Sequence, residues 1–175
     1  MSTDNPYQMG DAAKRVLHTW WKTLQKEDAS GQARADRAAL RRAADLNTVA
    51  CTPAYQRLYR RMVAARDGAG WPTFQQDRLA AVVGLLAHVK TNTEASLPQA
   101  MSSGNGQDNP VSELRFRRLL ESPDAEALFV GLRRTLPLIQ GGVNVLSLAD
   151  DVFGWSQSTK KRWAYGYRWP EKPGA

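Results

Sequence analysis

Apolar residues recur every three to four positions through each long segment of the chain, and no alternating run of the kind a half-buried strand needs is present. The first segment predicts a helix from about Asp11 to Glu27, with Val16, Trp20 and Leu24 turned inward and Leu17 and Trp21 beside them. A second begins near Arg34, buries Leu40 and Ala43, and fades past Leu46. Thr52 is placed to cap a third, with Pro53 in the first helical position, where its missing N–H costs nothing. Tyr55, Leu58, Tyr59, Met62 and Val63 form the apolar stripe of that helix, and Asp67–Gly68–Ala69–Gly70 ends it. Thr73 and Gln76 have the spacing of a capping box for a fourth helix, which buries Leu79, Val82, Val83, Leu86 and Val89.

The pattern breaks after Lys90. From Thr91 to Pro110 the chain is rich in Ser, Asn, Gln and Gly, and only Leu97–Met101 suits a helical turn; Ser102–Pro110 reads as a mobile loop. Helices resume over Ser112–Leu120, with Leu114, Phe116, Leu119 and Leu120 apolar, and again after Ser122–Pro123–Asp124, with Ala125, Leu128, Phe129, Leu132 and Leu136 as a core stripe. Pro137 should kink or end that helix. Gly141–Gly142 breaks the chain, Asn144 is placed to cap a helix to Phe153, and a last helix spans about Ser158 to Trp169. The expected fold is all-α, with about eight helices in two small bundle lobes, residues 1–93 and 112–175, joined by a polar linker at 94–111.

Length and apolar content, 175 residues and 42%, suit one ordinary domain or two small lobes. A single cysteine, Cys51, excludes an intramolecular disulfide and suits a reducing compartment. No apolar run approaches the ~20 residues that span a bilayer, and MSTDNPYQMGD lacks the regions of a signal peptide. These features predict a cytoplasmic protein with no membrane partner.

Charge changes the picture more. The stretch Gly31–Arg66 holds eight Arg against only Asp36 and Asp45, an excess of six within a formal net charge of +7. Such a concentration is an electrostatic footprint that attracts polyanions, chiefly nucleic acid. Arg34, Arg37 and Arg41 fall at i, i+3 and i+7 and so share one helical face, where like charges repel unless an anion relieves them. Arg115, Arg117 and Arg118 form a second cluster with Glu113 and Glu121 close enough for internal ion pairs, and Arg133 and Arg134 follow one helix later. Lys160, Lys161, Arg162 and Arg168 are interleaved with Trp163, Tyr165, Tyr167 and Trp169, a composition found in single-strand binders. At helical spacing, however, Trp163 and Tyr167 read as core. Trp155, at a junction of two helices, reads the same way.

Catalytic and metal chemistry find no candidates. His18 and His88 are isolated on separate helices, and one cysteine adds no zinc set. Asp150 and Asp151 point about 100° apart on a helix, so they suit pairing with nearby cations rather than a metal. The glycine clusters lack the preceding strand of a phosphate-binding loop. No enzyme activity, cofactor or metal is expected.

Six stretches, WWKTL, RADRAALRRAADL, TPAYQRL, VSELRFRRLLESPDAEALFVGLRRTLPLI, LADDVFGW and KKRWAYGY, stand in an order and spacing that resembles the CasB family, the small subunit of the type I-E CRISPR surveillance complex Cascade. The resemblance covers about residues 11–169. It implies an all-helical, two-lobe, non-catalytic protein whose copies align head to tail within the complex, against other Cascade subunits. It further implies contact with the guide RNA and with the target and displaced DNA strands, stabilising the R-loop while base pairing supplies sequence specificity. Carried over motif by motif, it supports Arg34, Arg37, Arg41 and Arg42, then Arg115, Arg117 and Arg118, then Arg133 and Arg134, and finally Lys160, Lys161 and Arg162 as nucleic-acid-binding residues. Arg37, Arg41, Arg118 and Lys160 lead that set on spacing and local charge, and Arg37 and Arg41 are expected on a polar face that folding does not need. The residues alone leave two other classes: a helix-turn-helix regulator, which needs a base-reading helix and usually a dimer, and a helical protein–protein scaffold anchored by Trp and Arg.

Overall fold

The computed structural model describes residues 5–104 and 107–172. Among these residues the chain forms ten α-helices: α1 (Asp11–Gln25), α2 (Gly31–Arg42), α3 (Leu46–Ala50), α4 (Pro53–Ala65), α5 (Thr73–Leu86), α6 (Leu97–Met101), α7 (Glu113–Leu120), α8 (Ala125–Thr135), α9 (Val145–Phe153) and α10 (Gln157–Gly166). A single 3₁₀ turn, Leu136–Leu138, follows α8, where Pro137 stops the helix. The fold is all-α, and the one strand-like feature among the described residues is an isolated parallel bridge between Asn92 and Val143.

Side-chain caps set most boundaries. Thr52 accepts from the N–H of Tyr55 at 3.1 Å, Asp124 from Ala127 at 2.9 Å and Asn144 from Ser147 at 2.9 Å. Ser30 caps α2 by accepting from Ala33, so α2 starts at Gly31 rather than near Arg34. Asp45 opens a separate short helix, α3, by accepting from Thr48 at 2.7 Å; the fading second helix is really two. The anticipated Thr73–Gln76 box does not form. Gln76 instead donates to the Tyr59 hydroxyl at 3.1 Å and the Trp71 carbonyl at 2.9 Å, leaving Pro72 as an unbonded cap.

The inward face of α1 is rotated from the expected one: Leu17, Trp20, Trp21 and Leu24 are buried while Val16 is half-buried. Trp21 gains a buried partner, donating its indole N–H to the Val89 carbonyl at 2.9 Å. Of the apolar residues of α7, Phe116 and Leu119 are buried while Leu114 is exposed.

The two expected lobes share one core. The second half of α5 is apolar on every side, with Leu79 through Leu86 buried, which marks it as a central helix. It packs against α3, α8 and α9, so the segments before and after the polar stretch close on each other. Gly84 makes this approach feasible, because a Cβ there would meet the Phe129 ring at 2.8 Å and Val49 at 3.0 Å. The polar stretch takes part as well: Leu97, Pro98, Ala100 and Met101 of α6 are buried against α10. Ser102 is buried too, its hydroxyl donating to the Pro98 carbonyl at 2.7 Å and accepting from the Arg168 N–H at 2.9 Å. Polar composition signalled a linker, but these groups satisfy one another inside the fold. The remaining tip of the anticipated mobile loop, Asn105–Gly106, lies outside the described residues.

Candidate nucleic-acid interface

The sequence-derived cations divide into two sets by what lies beneath them. Arg37 and Arg41 of α2 are half-buried and turned onto helix ends. Arg37 Nη1 donates to the Leu24 carbonyl at 3.3 Å, one residue before the end of α1, and Arg41 Nε donates to the Ala87 carbonyl at 2.8 Å, the C-cap of α5. The last carbonyls of a helix have no intrahelical donor, so both guanidiniums act as caps. Arg133 of α8 reaches the same corner and donates to the Arg41 carbonyl at 3.1 Å, while its buried Nε has no partner among the described residues. Burial lowers the pKa of Arg41, and the neighbouring charge of Arg37 adds to the effect. His88 sits among these groups; burial first, then the charges of Arg41 and Arg133, pull its pKa down to about 4. It is therefore neutral at pH 7.

The second set faces solvent. Arg34 and Arg42 of α2, Arg115, Arg117 and Arg118 of α7, Arg134 of α8 and Lys161 of α10 are exposed. Among the described residues only three ion pairs form, Lys14–Asp150, Arg57–Asp36 and Arg162–Asp151, and none involves these seven. Glu113 and Glu121, close in sequence to these arginines, form no ion pair with them among the described residues. Seven exposed cations without carboxylate partners make a surface that attracts anions at little desolvation cost.

Helix α10 shows both behaviours within three residues. Arg162 pairs with Asp151 at 2.6 Å, and the other oxygen of this buried carboxylate accepts the Trp163 indole N–H at 2.8 Å. Lys160 is half-buried, its ammonium 5.5 Å from the centre of the Trp155 ring. Lys161 points out. Trp155 and Trp163 are buried and meet edge to face at 4.9 Å, which makes them core rather than stacking surfaces. Asp150 and Asp151 serve different cations, Lys14 and Arg162.

A further basic groove is formed by arginines that the sequence places in the charged stretch but not among the candidate binding residues. Arg57, Arg60 and Arg61 of α4 border a cleft of about 520 Å³ whose lining includes Trp20 and Asp36. An adjoining hollow adds Arg15 from α1 beside the same Trp20. The charge count of Gly31–Arg66 contained the signal for α4, but only the pairing of α1 with α4 brings Arg15 to it.

Together the fold and this surface define a strongly basic all-helical protein. Among the described residues no group of His, Cys, Asp or Glu is arranged to hold a metal ion, and no helix is long and apolar enough to cross a membrane. Residues 36–167 match the family model of the CRISPR-associated protein Cse2, and the chain belongs to that family. Among solved structures it is similar to a Cse2-family CRISPR-associated protein of Thermus thermophilus, with TM-score 0.66 and 25% identity over 89% of this chain and 96% of that one. The same values describe its similarity to CasB from Thermus thermophilus. A chain of the E. coli Cascade complex bound to a PAM-containing double-stranded DNA target shares the fold at TM-score 0.62 and 20% identity, covering 86% and 92%. Comparison with curated protein sequences gives no match.

Proposed function

We propose that this chain is the non-catalytic small subunit of a type I-E Cascade complex in the cytoplasm. In that role it binds nucleic-acid backbone without sequence preference and stabilises the R-loop formed by guide RNA, target strand and displaced strand. Membership of the Cse2 family and the likeness to a chain of a DNA-bound Cascade support the assignment. The observation that carries the binding role is the set of exposed cations that pair with no carboxylate among the described residues: Arg34, Arg42, Arg115, Arg117, Arg118, Arg134 and Lys161. Guanidiniums suit phosphate because their planar fork donates to two oxygens at once. Of the other anticipated contacts, Arg37, Arg41, Arg133, Lys160 and Arg162 each engage a group within the protein, which gives them a part in holding the surface in place. In the assembled complex a second copy aligns head to tail with the first and extends the basic track beside other Cascade subunits.

Reconstitution tests this reading. Cascade assembled with the Arg115→Ala, Arg117→Ala, Arg118→Ala variant should bind guide RNA normally but form R-loops on a matched target more slowly and lose them faster as salt rises. R-loops of unchanged rate, lifetime and salt dependence would remove the backbone-binding role. A strong preference of the isolated chain for one duplex sequence would point instead to a regulator.

A further inference from the structure

At the corner where α2, α5 and α8 meet, charge is gathered without a counterion. Arg37, Arg41 and Arg133 converge on helix-end and backbone carbonyls, and among the described residues no carboxylate pairs with any of them. Two buried polar atoms here, His88 Nε2 and Arg133 Nε, have no hydrogen-bond partner among the described residues. Buried polar groups are normally satisfied, and half-buried cations normally have an anion. Beside this corner opens a cavity of about 440 Å³ with Arg41, His88 and Lys90 in its lining and an apolar wall that includes Leu136, Pro137 and Ile139. Among the described residues no acidic side chain lines it. That size, with an apolar wall and a few convergent polar groups, is the make-up of a small-molecule site.

The pocket is built on rigid backbone. Val143 donates to the Thr91 carbonyl at 3.2 Å and Thr93 to the Val143 carbonyl at 3.0 Å, which ties both lining segments together. Gly142 takes φ +85, and a Cβ there would meet the Thr91 oxygen at 2.5 Å, so only glycine allows this closure.

We propose that this pocket takes up a single nucleotide of a bound strand, its phosphate on Arg41 and Lys90 and its base against Leu136, Pro137 and Ile139. The inference rests on the nucleic-acid-binding reading above and adds a discrete site to it. A base held by an apolar wall is gripped without being read, which fits binding that is indifferent to sequence. The phosphate supplies the missing counterion. The neutral His88 ring adds a hydrogen-bonding edge without adding charge.

The full-length chain at pH 7, with its two imidazoles followed by NMR and told apart in a His18→Gln background, provides the test. Thymidine 5′-monophosphate should shift the His88 signals saturably, whereas thymidine should bind at least about tenfold more weakly for lack of the charge, a ratio of ~1.4 kcal/mol. Inorganic phosphate should also be at least about tenfold weaker, for lack of the base. Lys90→Glu, which reverses an exposed charge on the rim, and Ile139→Trp, which fills the half-buried wall, should each abolish the saturable shift while the melting temperature holds. Equal affinity for phosphate and nucleotide would overturn the nucleotide site in favour of a simple anion site. No His88 shift with any of the three would overturn the pocket altogether. Salt-dependent binding of random-sequence strands that survives in both rim variants confines such a failure to this pocket. A His88 response to the nucleotide in a chain that binds no strand supports the pocket and sinks the broader reading.

Discussion

Helices α2 and α7 are both short, amphipathic and rich in arginine, yet their guanidiniums do different work. In α2, Arg37 and Arg41 are drawn down onto the carbonyls of Leu24 and Ala87, where α1 and α5 end. Beneath α7 lie aromatic rings instead: Phe116 stacks on Tyr167 at 4.0 Å and meets Trp169 edge-on at 5.4 Å. Arg115, Arg117 and Arg118 stay in water. The lesson is that an arginine is drawn into the fold or left in water according to the helix ends within its reach, not according to the composition of its cluster.

The largest expected effect marks the structural extreme. Trp163→Ala removes the biggest fully buried side chain and leaves the buried Asp151 carboxylate without one donor, and it should destabilise the protein by about 3–5 kcal/mol in chemical denaturation. A stable Trp163→Ala that no longer binds single strands would make that ring a stacking platform and undo the division. Arg41→Ala comes next. It leaves the Ala87 carbonyl short of its strongest donor, with only Gln25 Nε2 at 3.4 Å remaining, and should cost about 1–3 kcal/mol of stability. Charge reversal of Arg37 and Arg41 together should likewise lower stability rather than merely weaken binding.

Acidification probes the same corner. The folded pKa of His88, about 4, lies below its ordinary value of 6.5, so between these values the unfolded chain holds the proton and the folded one does not. The contribution of neutral His88 to stability is therefore fully present above pH 6.5 and falls as pH drops toward 4. Melting temperature should decline between pH 7 and 5, and His88→Gln should flatten that decline. The smallest effect belongs to α7: Arg115→Ala, Arg117→Ala and Arg118→Ala should each change stability by no more than about 0.5 kcal/mol.

Much of this fold was legible in the chain because local rules decided it. Caps at Thr52, Asp124 and Asn144, the stop at Pro137 and the buried Trp155 and Trp163 all follow from side chains close in sequence or from a single period. What escaped depends on partners far along the chain. Gln76 left its expected box for Tyr59 and Trp71, and Ser102 left an apparent linker for Arg168. Arg41 left a polar face for Ala87, 46 residues away. The polar stretch after Lys90 misled for the same reason, since its composition does not reveal that α6 is covered by α10. Within the candidate interface, sequence located the clusters but could not sort them, because the sorting depends on which helix termini end underneath.

The most direct measurement is the salt dependence of random-sequence single-strand binding by three proteins: wild type, the triple alanine variant of α7, and Arg41→Ala at a temperature where it remains folded. For single strands, log affinity should fall linearly with log salt by roughly 0.7 per phosphate contact. The account predicts that the α7 variant loses roughly two units of slope or more, corresponding to its three arginines, while Arg41→Ala loses at most about one. An unchanged slope in the α7 variant, or a larger loss in Arg41→Ala, would contradict the division of this protein's cations into outer and inner sets.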